Sequence, residues 1–152
     1  MNNPGIRNLG DAALAAINAA TGGGSVVTLA ADASGINQPY VEGLDGMKAA
    51  TLSANFVYGS GGDTLKVAIE TTLNQGATWI EIARLAFTTA SAEKVVNLSG
   101  LTPVTTVYAP ATLSDDAVKD GVLGPRFRAR IIKGAGSAYA GATSLSIRMH
   151  AR

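Results

Sequence analysis

The sequence has no cysteine and a single histidine, and these two scarcities limit its chemistry most. Without cysteine, disulfides and thiolate metal sites are excluded, so the fold must hold through packing and hydrogen bonds. A Ser–His–Asp triad would have to use His150, and no Gly-x-Ser-x-Gly segment supplies an activated serine. We therefore expect a non-enzymatic protein without catalytic residues, in which His150 lies on the outward side of a strand.

Charged residues are also scarce, at 15% of the chain, where an average globular protein has about 25%. No run approaches the roughly 18 apolar residues of a membrane helix, and no basic region followed by an apolar run indicates a secretory signal. We expect no membrane association. The mean hydropathy of +0.21 comes mainly from alanine. A surface rich in small residues favours burial against other subunits, and a sandwich that simply carries few charges is the alternative.

The few charges are unevenly distributed along the chain. Residues 1–120 hold all 11 acidic residues and six basic ones, a net charge of −5, whereas residues 121–152 hold six basic residues and no acidic one, a net charge of +6. This asymmetry predicts a partner of opposite charge, which is the acidic part of the same fold, a neighbouring subunit or a polyanion. The basic residues of the last part are Arg126, Arg128, Arg130, Lys133, Arg148 and Arg152.

At 152 residues the chain has the length of one domain, and its first residues differ in composition from the rest. We expect an N-terminal arm over residues 1–24 and a β-sandwich domain over residues 25–152. Within the arm, residues 1–10 are a mobile or docking segment, and Asp11–Ala20 is a short alanine-rich helix that begins at Asp11. The thin apolar side of this helix needs a surface to pack on, such as another subunit. The contact residues would be Ile6, Leu9, Leu14 and Ile17.

Seven or eight short strands separated by turn residues account for the rest of the chain. Alternation is clearest over Thr64–Thr72, where Leu65, Val67 and Ile69 face one side, so we expect a strand buried on one face. The two prolines in Leu101–Pro110 allow an edge strand at best. This pattern is typical of an all-β, antiparallel β-sandwich or jelly roll. The strands are predicted at Ser25–Ala30, Lys48–Tyr58, Thr64–Thr72, Thr78–Phe87, Glu93–Leu98, Arg126–Lys133 and Ser144–Arg152.

Two loops carry residue types that occur in metal or phosphate sites. One loop contains Asp115 and Asp116, with Asp120 nearby. It lacks the glycine and the closing glutamate of an EF-hand loop, so a solvated acidic loop is the better interpretation. The glycine-rich Gly59–Thr64 precedes a strand, whereas a phosphate cradle needs a helix N-terminus after the loop. We therefore expect no metal site and no cofactor.

The turn over Thr72–Trp79 (TLNQGATW) resembles the Asp-box hairpin, whose pattern is roughly Ser/Thr-x-Asp-x-Gly-x-Thr-Trp. We expect Asn74 to bond the local backbone, Gly76 to supply a positive φ and Trp79 to cap the hairpin. In sialidases and other propellers this hairpin is structural and lies away from the active site. One copy is too few for a propeller, so the resemblance implies a stable hairpin without catalytic meaning.

The outward arginines near the C-terminus are the main candidate interaction surface. If the last two strands pair as a hairpin, their outward side chains share one face and repel each other unless something neutralises them. The candidates are Glu70 and Glu81 on neighbouring strands, the loop Thr112–Gly124 of another subunit, or nucleic acid. Nucleic acid is the least favoured, because Phe127 points inward and these strands have no other aromatic residue for base stacking. The face would comprise Arg126, Arg128, Arg130, Arg148, His150 and Arg152.

The stretch from Lys48 to Arg152 resembles small β-sandwich proteins encoded among the structural genes of tailed phages. The resemblance rests on TLKVAIETTLNQGATWIEIARLAF, on AEKVVNLS and on the final LGPRFRARIIKGAGSAYAGATSLSIRMHAR. Capsid decoration (cement) proteins with a jelly-roll core end similarly, with an Arg-aromatic-Arg strand, a glycine-rich loop and a last strand.

The resemblance implies a virion protein that is present in many copies and needs no cofactor. A decoration protein would stabilise the head by binding copies of itself, as a trimer or another closed oligomer, and the major capsid protein. A tail, neck or collar protein of the virion is the alternative. A carbohydrate-binding β-sandwich is a further alternative, which needs an exposed aromatic platform. Its members would be Trp79, Tyr40, Tyr58, Tyr108 and Tyr139.

Overall fold

A computed structural model describes residues 5–28 and 38–152. Strands make up 48% of the chain and helix 4%, so the expected all-β class is confirmed. In chain order the elements are β1 (Gly5–Ala13), α1 (Leu14–Ala19), β2 (Ser25–Val26), β3 (Ala49–Val57), β4 (Ser60–Gly61), β5 (Leu65–Thr72), β6 (Ile80–Phe87), β7 (Ala92–Ser99), β8 (Arg126–Lys133), β9 (Tyr139–Ala140) and β10 (Ser144–Ala151).

The long strands form two four-stranded sheets. Sheet I has the strand order β1-β10-β3-β7, sheet II has the order β2-β8-β5-β6, and β4 pairs with β9 in a small ribbon. The neighbouring strands are antiparallel throughout the described ranges. The inner side chains of both sheets form one core, so the expected antiparallel β-sandwich is confirmed.

Alternate residues of the long strands point into the core between the sheets. In β3, Leu52, Ala54 and Phe56 are fully buried, whereas the residues between them are half-buried or exposed. The ring of Phe56 lies 5.4 Å from that of Phe87 and 5.6 Å from that of Tyr139, measured between centroids. This period of two is the physical basis on which the strands could be predicted.

The N-terminal segment belongs to sheet I, which differs from the expected arm and from the helix expected over residues 11–20. β1 pairs with β10 along its whole length, with a bulge between Asn8 and Gly10. Asp11 therefore lies in a strand and does not begin a helix, and α1 covers only Leu14–Ala19. Because β1 gains a ladder of hydrogen bonds with β10, tertiary pairing outweighs the helix propensity of its alanines.

The domain boundary drawn after residue 24 stays a prediction, but the described residues before it contribute to the common core. Leu9, Ala12 and Ile17 are each at most 3% exposed. The carbonyl of Ala20 accepts a hydrogen bond from the backbone N–H of Lys133 in β8. The described residues on both sides of the boundary therefore pack into the same sandwich.

Six of the predicted strands, β3, β5, β6, β7, β8 and β10, are confirmed to within two residues at each end. The first strand, predicted at Ser25–Ala30, is limited to Ser25–Val26, and its last two predicted residues lie outside the described ranges. Residues 101–110 form no strand, which agrees with the two prolines there.

The last two long strands do not pair as a hairpin, so the condition for one shared basic face is not met. β8 lies in sheet II between β2 and β5, whereas β10 lies in sheet I between β1 and β3. The Gly/Ala/Ser segment that joins them contains β9, which pairs with β4. Because β8 and β10 belong to different sheets, their outward side chains point to opposite sides of the sandwich.

Candidate functional site on the outer faces of the sandwich

The basic residues expected on one face are divided between the two outer faces. Arg126, Arg128 and Arg130 of β8 lie on the outer side of sheet II, alternating with buried residues. Arg148 and His150 of β10 lie on the outer side of sheet I, where His150 is exposed as expected. The single basic face is therefore wrong, since the strands that carry these residues belong to different sheets.

Glu70 joins two of the β8 arginines on the outer side of sheet II. Its carboxylate lies 2.6 Å from Nε of Arg128 and 3.2 Å from Nε of Arg130, and the Glu70 side chain is only 7% exposed. The acidic part of the same fold, one of the three partners considered for the arginines, therefore neutralises one of these two charges. Charge-assisted hydrogen bonds of this kind tie β5 to β8.

Glu81, the other acidic residue expected to face the β8 arginines, binds Arg84 instead. Nε and Nη2 of Arg84 donate to the two Glu81 carboxylate oxygens at 2.6 and 3.0 Å. The hydrogen bond to Glu81 raises the pKa of Arg84, against the opposing effect of burial. Residues three apart normally lie on opposite sides of a strand, but an irregular register beside Glu81 brings both to one side. Sequence spacing alone therefore missed this pair.

Aromatic rings cover two of the three β8 arginines. The guanidinium carbon of Arg128 lies 4.2 Å from the Trp79 ring centroid, and that of Arg126 lies 4.9 Å from the Tyr40 ring centroid. The two rings are 6.1 Å apart, and Nε of Arg126 lies 3.4 Å from the carboxylate of Glu42. Cation–π contacts contribute about 0.5–1 kcal/mol at exposed sites, so the rings help to fix the arginines in place.

The hairpin that carries Trp79 has the expected local bonding. Asn74 Oδ1 accepts the backbone N–H of Thr78 at 2.9 Å, and Thr72 Oγ1 accepts the N–H of Gly76 at the same distance. Gly76 has a φ of 96°, and the Trp79 ring lies against its Cα, since a Cβ added there would be 3.6 Å from the ring. The predicted roles of Asn74, Gly76 and Trp79 are therefore confirmed.

The aromatic residues that a carbohydrate-binding platform would need do not lie together. Tyr58 and Tyr139 belong to the core cluster, with ring centroids 6.3 Å apart. Tyr108 lies in the long connection between β7 and β8. Tyr40 and Trp79 lie beside the β8 arginines. The exposed platform that this alternative requires is not formed by these five residues.

The long connection between β7 and β8 runs along the edge of sheet II, and some of its residues reach the outer side of this sheet. Backbone hydrogen bonds join Ala117 to Arg84 and Lys119 to Ile82, so the connection runs alongside β6. Ala68, on the outer side of β5, is completely buried. The expectation that β5 has one open side is therefore wrong, because the charged cluster and the connection lie over that side.

The acidic residues of this connection bind groups of their own chain. Asp115 lies 2.8 Å from Lys66 Nζ, and Asp116 lies 2.7 Å from Lys94 Nζ. Asp120 accepts hydrogen bonds from a threonine hydroxyl and a backbone N–H, which lower its pKa. In the described ranges, no three potential metal ligands form a cluster. These three carboxylates thus hold the connection against the sandwich.

The outer face of sheet I is open and carries few charges. Arg148 binds Asp11 at 2.9 Å, Thr51 donates to the side chain of Asn97 at 2.6 Å, and a serine donates to Glu93. Most of the other side chains are small and neutral. The cross-strand rows on this face are Ile6–His150–Thr51–Asn97, Asn8–Arg148–Ser53–Val95 and Asp11–Ser146–Asn55–Glu93.

The apolar residues expected at an intersubunit contact have different surroundings. Ile6 is 77% exposed on the outer face of sheet I. Leu9 and Ile17 are at most 1% exposed and Leu14 is partly buried against the core, so Leu9 and Ile17 offer no side-chain surface to another subunit. Arg152 is exposed, and its backbone forms hydrogen bonds with the first residue of β3 and with the residue that precedes β3.

No protein-family model, curated protein or solved structure matches this chain. The described ranges contain no helix that is long and apolar enough to cross a membrane. The two outer faces, one open and one partly covered, are the surfaces on which other molecules can bind.

Proposed function

We propose that this chain is a non-enzymatic structural subunit of a tailed-phage particle, and specifically a capsid decoration protein that stabilises the head through intersubunit contacts. The observation that carries the proposal is the open outer face of sheet I, which has small neutral side chains and lies beside an edge strand. The resemblance of residues 48–152 to phage structural proteins supplies the biological setting.

The open face has the size and composition of a subunit contact. Four strands about 4.8 Å apart and eight residues long cover about 500 Å². Two such surfaces in contact would bury about 1,000 Å², the size from which specific interfaces begin. Short side chains such as Ser53 and Ser146 lose little rotamer entropy when they are covered. Because Arg148 is already paired with Asp11, its charge also has a partner when water is excluded.

The edge strand β1 extends this surface to the side of the sandwich. Within the described ranges β1 pairs only with β10 and therefore forms one edge of sheet I. Edge strands are where other chains add to a sheet, and the exposed Ile6 lies on this strand. A face and an adjacent edge allow contacts with two neighbours at once. A trimer or another closed oligomer that also binds a capsid surface needs such an arrangement.

A tail, neck or collar protein of the virion would use the same surface in a different place. The open face supports self-association in both cases, and only the identity of the second partner separates them. Binding to purified heads that lack this chain identifies a decoration protein. Binding to tails, and not to heads, identifies the alternative.

Asn55→Arg tests the open face directly. Asn55 is exposed in the third cross-strand row, directly opposite Glu93, so an arginine there is tolerated by the single chain but obstructs a partner. We expect the native chain to sediment as an oligomer, with a trimer favoured, and Asn55→Arg to sediment as a monomer with an unchanged unfolding temperature. Ser137→Arg is the matched control, because Ser137 is exposed in the loop before β9. A native chain that stays monomeric and binds no phage particle would overturn the proposal.

A further inference from the structure

A cavity of about 310 Å³ lies on the outer side of sheet II, between the charged cluster and the long connection. Its volume is in the range of small-molecule sites and is large enough for one sugar ring. It is lined by Glu70, Trp79, Glu81, Pro110, Ala111, Thr112 and Arg130.

The charged cluster beneath the cavity carries one positive charge in excess. Three guanidinium groups, those of Arg84, Arg128 and Arg130, face two carboxylates, those of Glu70 and Glu81. Glu70 is shared by two arginines, so the excess lies on the side of β8. Both carboxylates are at most 7% exposed. Arg128 and Arg130 share the single counterion Glu70, so one anionic group in the cavity would complete the charge balance of the cluster.

The walls of the cavity combine apolar surface with fixed polar groups. Trp79 and Pro110 supply apolar surface, and Thr112 supplies a hydroxyl. The charged groups are already held by one another, so a ligand meets donors and acceptors that need little ordering. A ring with one apolar side, several hydroxyls and one negative charge matches this combination. We propose that the cavity binds an acidic sugar residue, a pyranose ring that carries one carboxylate.

Each polar side chain has capacity left for such a ligand. Arg130 donates from Nε to Glu70 and from Nη1 to the carbonyl of Gly23, which leaves Nη2 for the sugar carboxylate. Both oxygens of Glu81 accept from Arg84 and keep further lone pairs for sugar hydroxyls. Arg130 thus selects the charge, and Glu81 and Thr112 bind the ring substituents.

The carboxylates of Glu70 and Glu81 also disfavour a ligand with more than one negative charge. A phosphate dianion in the cavity would bring two negative charges close to Glu70 and Glu81, where one charge suffices for balance. A simple carboxylate would satisfy Arg130 but would leave the Trp79 wall and the hydroxyl-binding groups unused. The site therefore favours a sugar acid over either ion. This inference does not depend on where the chain lies in a particle.

The fluorescence of Trp79 reports binding directly, because this residue lines the cavity and is the only tryptophan of the chain. The probes are the methyl glycosides of glucuronic and galacturonic acid, with the methyl glycosides of glucose and galactose as neutral counterparts and acetate as a simple anion. We expect a saturable change with at least one acidic glycoside and at least tenfold weaker binding of its neutral counterpart. No saturable change with either acidic glycoside, or acetate binding equally well, would overturn the proposal.

Arg130→Gln and Arg126→Gln form a matched pair of variants. Both arginines lie on the outer side of β8 with 25% exposed side chains, but only Arg130 lines the cavity. We expect Arg130→Gln to lose at least about tenfold in affinity and Arg126→Gln to bind normally. Equal losses in both variants would contradict the assignment. If Arg130→Gln does not fold, Thr112→Val removes the exposed hydroxyl, and unchanged binding by that variant would count against the site.

Discussion

Glu70 holds the outer side of sheet II together at the scale of a single residue. Its carboxylate is the shared partner of Arg128 and Arg130, which lie two residues apart on the same side of β8. Removing one partner from such a buried group costs more than the net strength of the interaction, because the remaining charges are left without a counterion. The stability of the sandwich is therefore more sensitive here than at the exposed acidic residues.

Glu70→Gln measures this effect. We expect it to lower the free energy of unfolding by about 2 kcal/mol, since the two arginines are partly exposed and water recovers part of the loss. Glu93→Gln, on the open face of sheet I, is the control and should change the value by less than about 1 kcal/mol. Urea unfolding monitored by circular dichroism gives both values. Similar effects of the two substitutions would show that the cluster does not stabilise the fold.

Asp120 makes the fold sensitive to acid. Its pKa lies below the ordinary value because the Thr102 hydroxyl and the Ser99 N–H donate to the carboxylate, against the opposing effect of burial. A carboxyl group whose pKa is lower in the folded state stabilises the fold above its unfolded pKa, and this contribution is lost as the pH falls through the folded pKa. The pKa values of Asp63 and Asp116 are lowered in the same direction.

We therefore expect the free energy of unfolding to fall from about pH 5 downward. The Asp120→Asn variant should show a smaller fall, since asparagine still accepts a hydrogen bond but does not titrate. Urea unfolding at several pH values compares the two proteins. Parallel pH dependences would show that Asp120 contributes nothing to acid sensitivity.

The hairpin between β5 and β6 is the element that positions Trp79. The Asn74 side chain accepts a hydrogen bond from the backbone N–H of Thr78 and donates one to the Thr78 hydroxyl. We expect Asn74→Ala to lower the free energy of unfolding by about 1 kcal/mol, the net value of a typical hydrogen bond. Asn74→Asp keeps an acceptor for the Thr78 N–H and should lose less. Thermal unfolding followed by Trp79 fluorescence measures both variants, and an alanine variant as stable as the native chain would contradict the role of Asn74.

Strands could be predicted wherever one side of the strand faces the core. β3, β8 and β10 alternate between buried and outward residues, and their bounds were predicted within a residue at each end. β1 was missed because its alanines and bulge obscure the period of two, and its pairing partner is the far end of the chain. Local sequence carries no signal for such long-range pairing.

The candidate site could be predicted in part. The sequence indicated outward arginines and gave Glu70, together with Glu81, as one of three candidate partners, because alternation assigns side chains to faces. It did not indicate that β8 and β10 belong to different sheets, because neighbouring strands in a chain often form hairpins and a change of sheet leaves no local signal. The pairing of Glu81 with Arg84 depends on the irregular register beside Glu81 in the β5–β6 ladder, and the cavity depends on the path of the long connection.

The molecule as a whole has two unlike outer faces. A charged cluster lies over sheet II and the long connection runs along its edge strand β6, whereas sheet I leaves its outer side open beside the edge strand β1. In the proposed role, one side would bind neighbouring subunits while the other keeps a small cavity accessible to solvent. This division unites the proposed structural role with the proposed sugar site.

The most direct test of the account is a reconstruction by electron cryomicroscopy of the oligomer that this chain forms. We predict that the outer face of sheet I, around Ser53 and Asn55, contacts a neighbouring subunit and that the cavity beside Trp79 faces solvent. A map in which sheet I is fully exposed and the subunits meet through sheet II would show that the open face of sheet I is not the subunit contact.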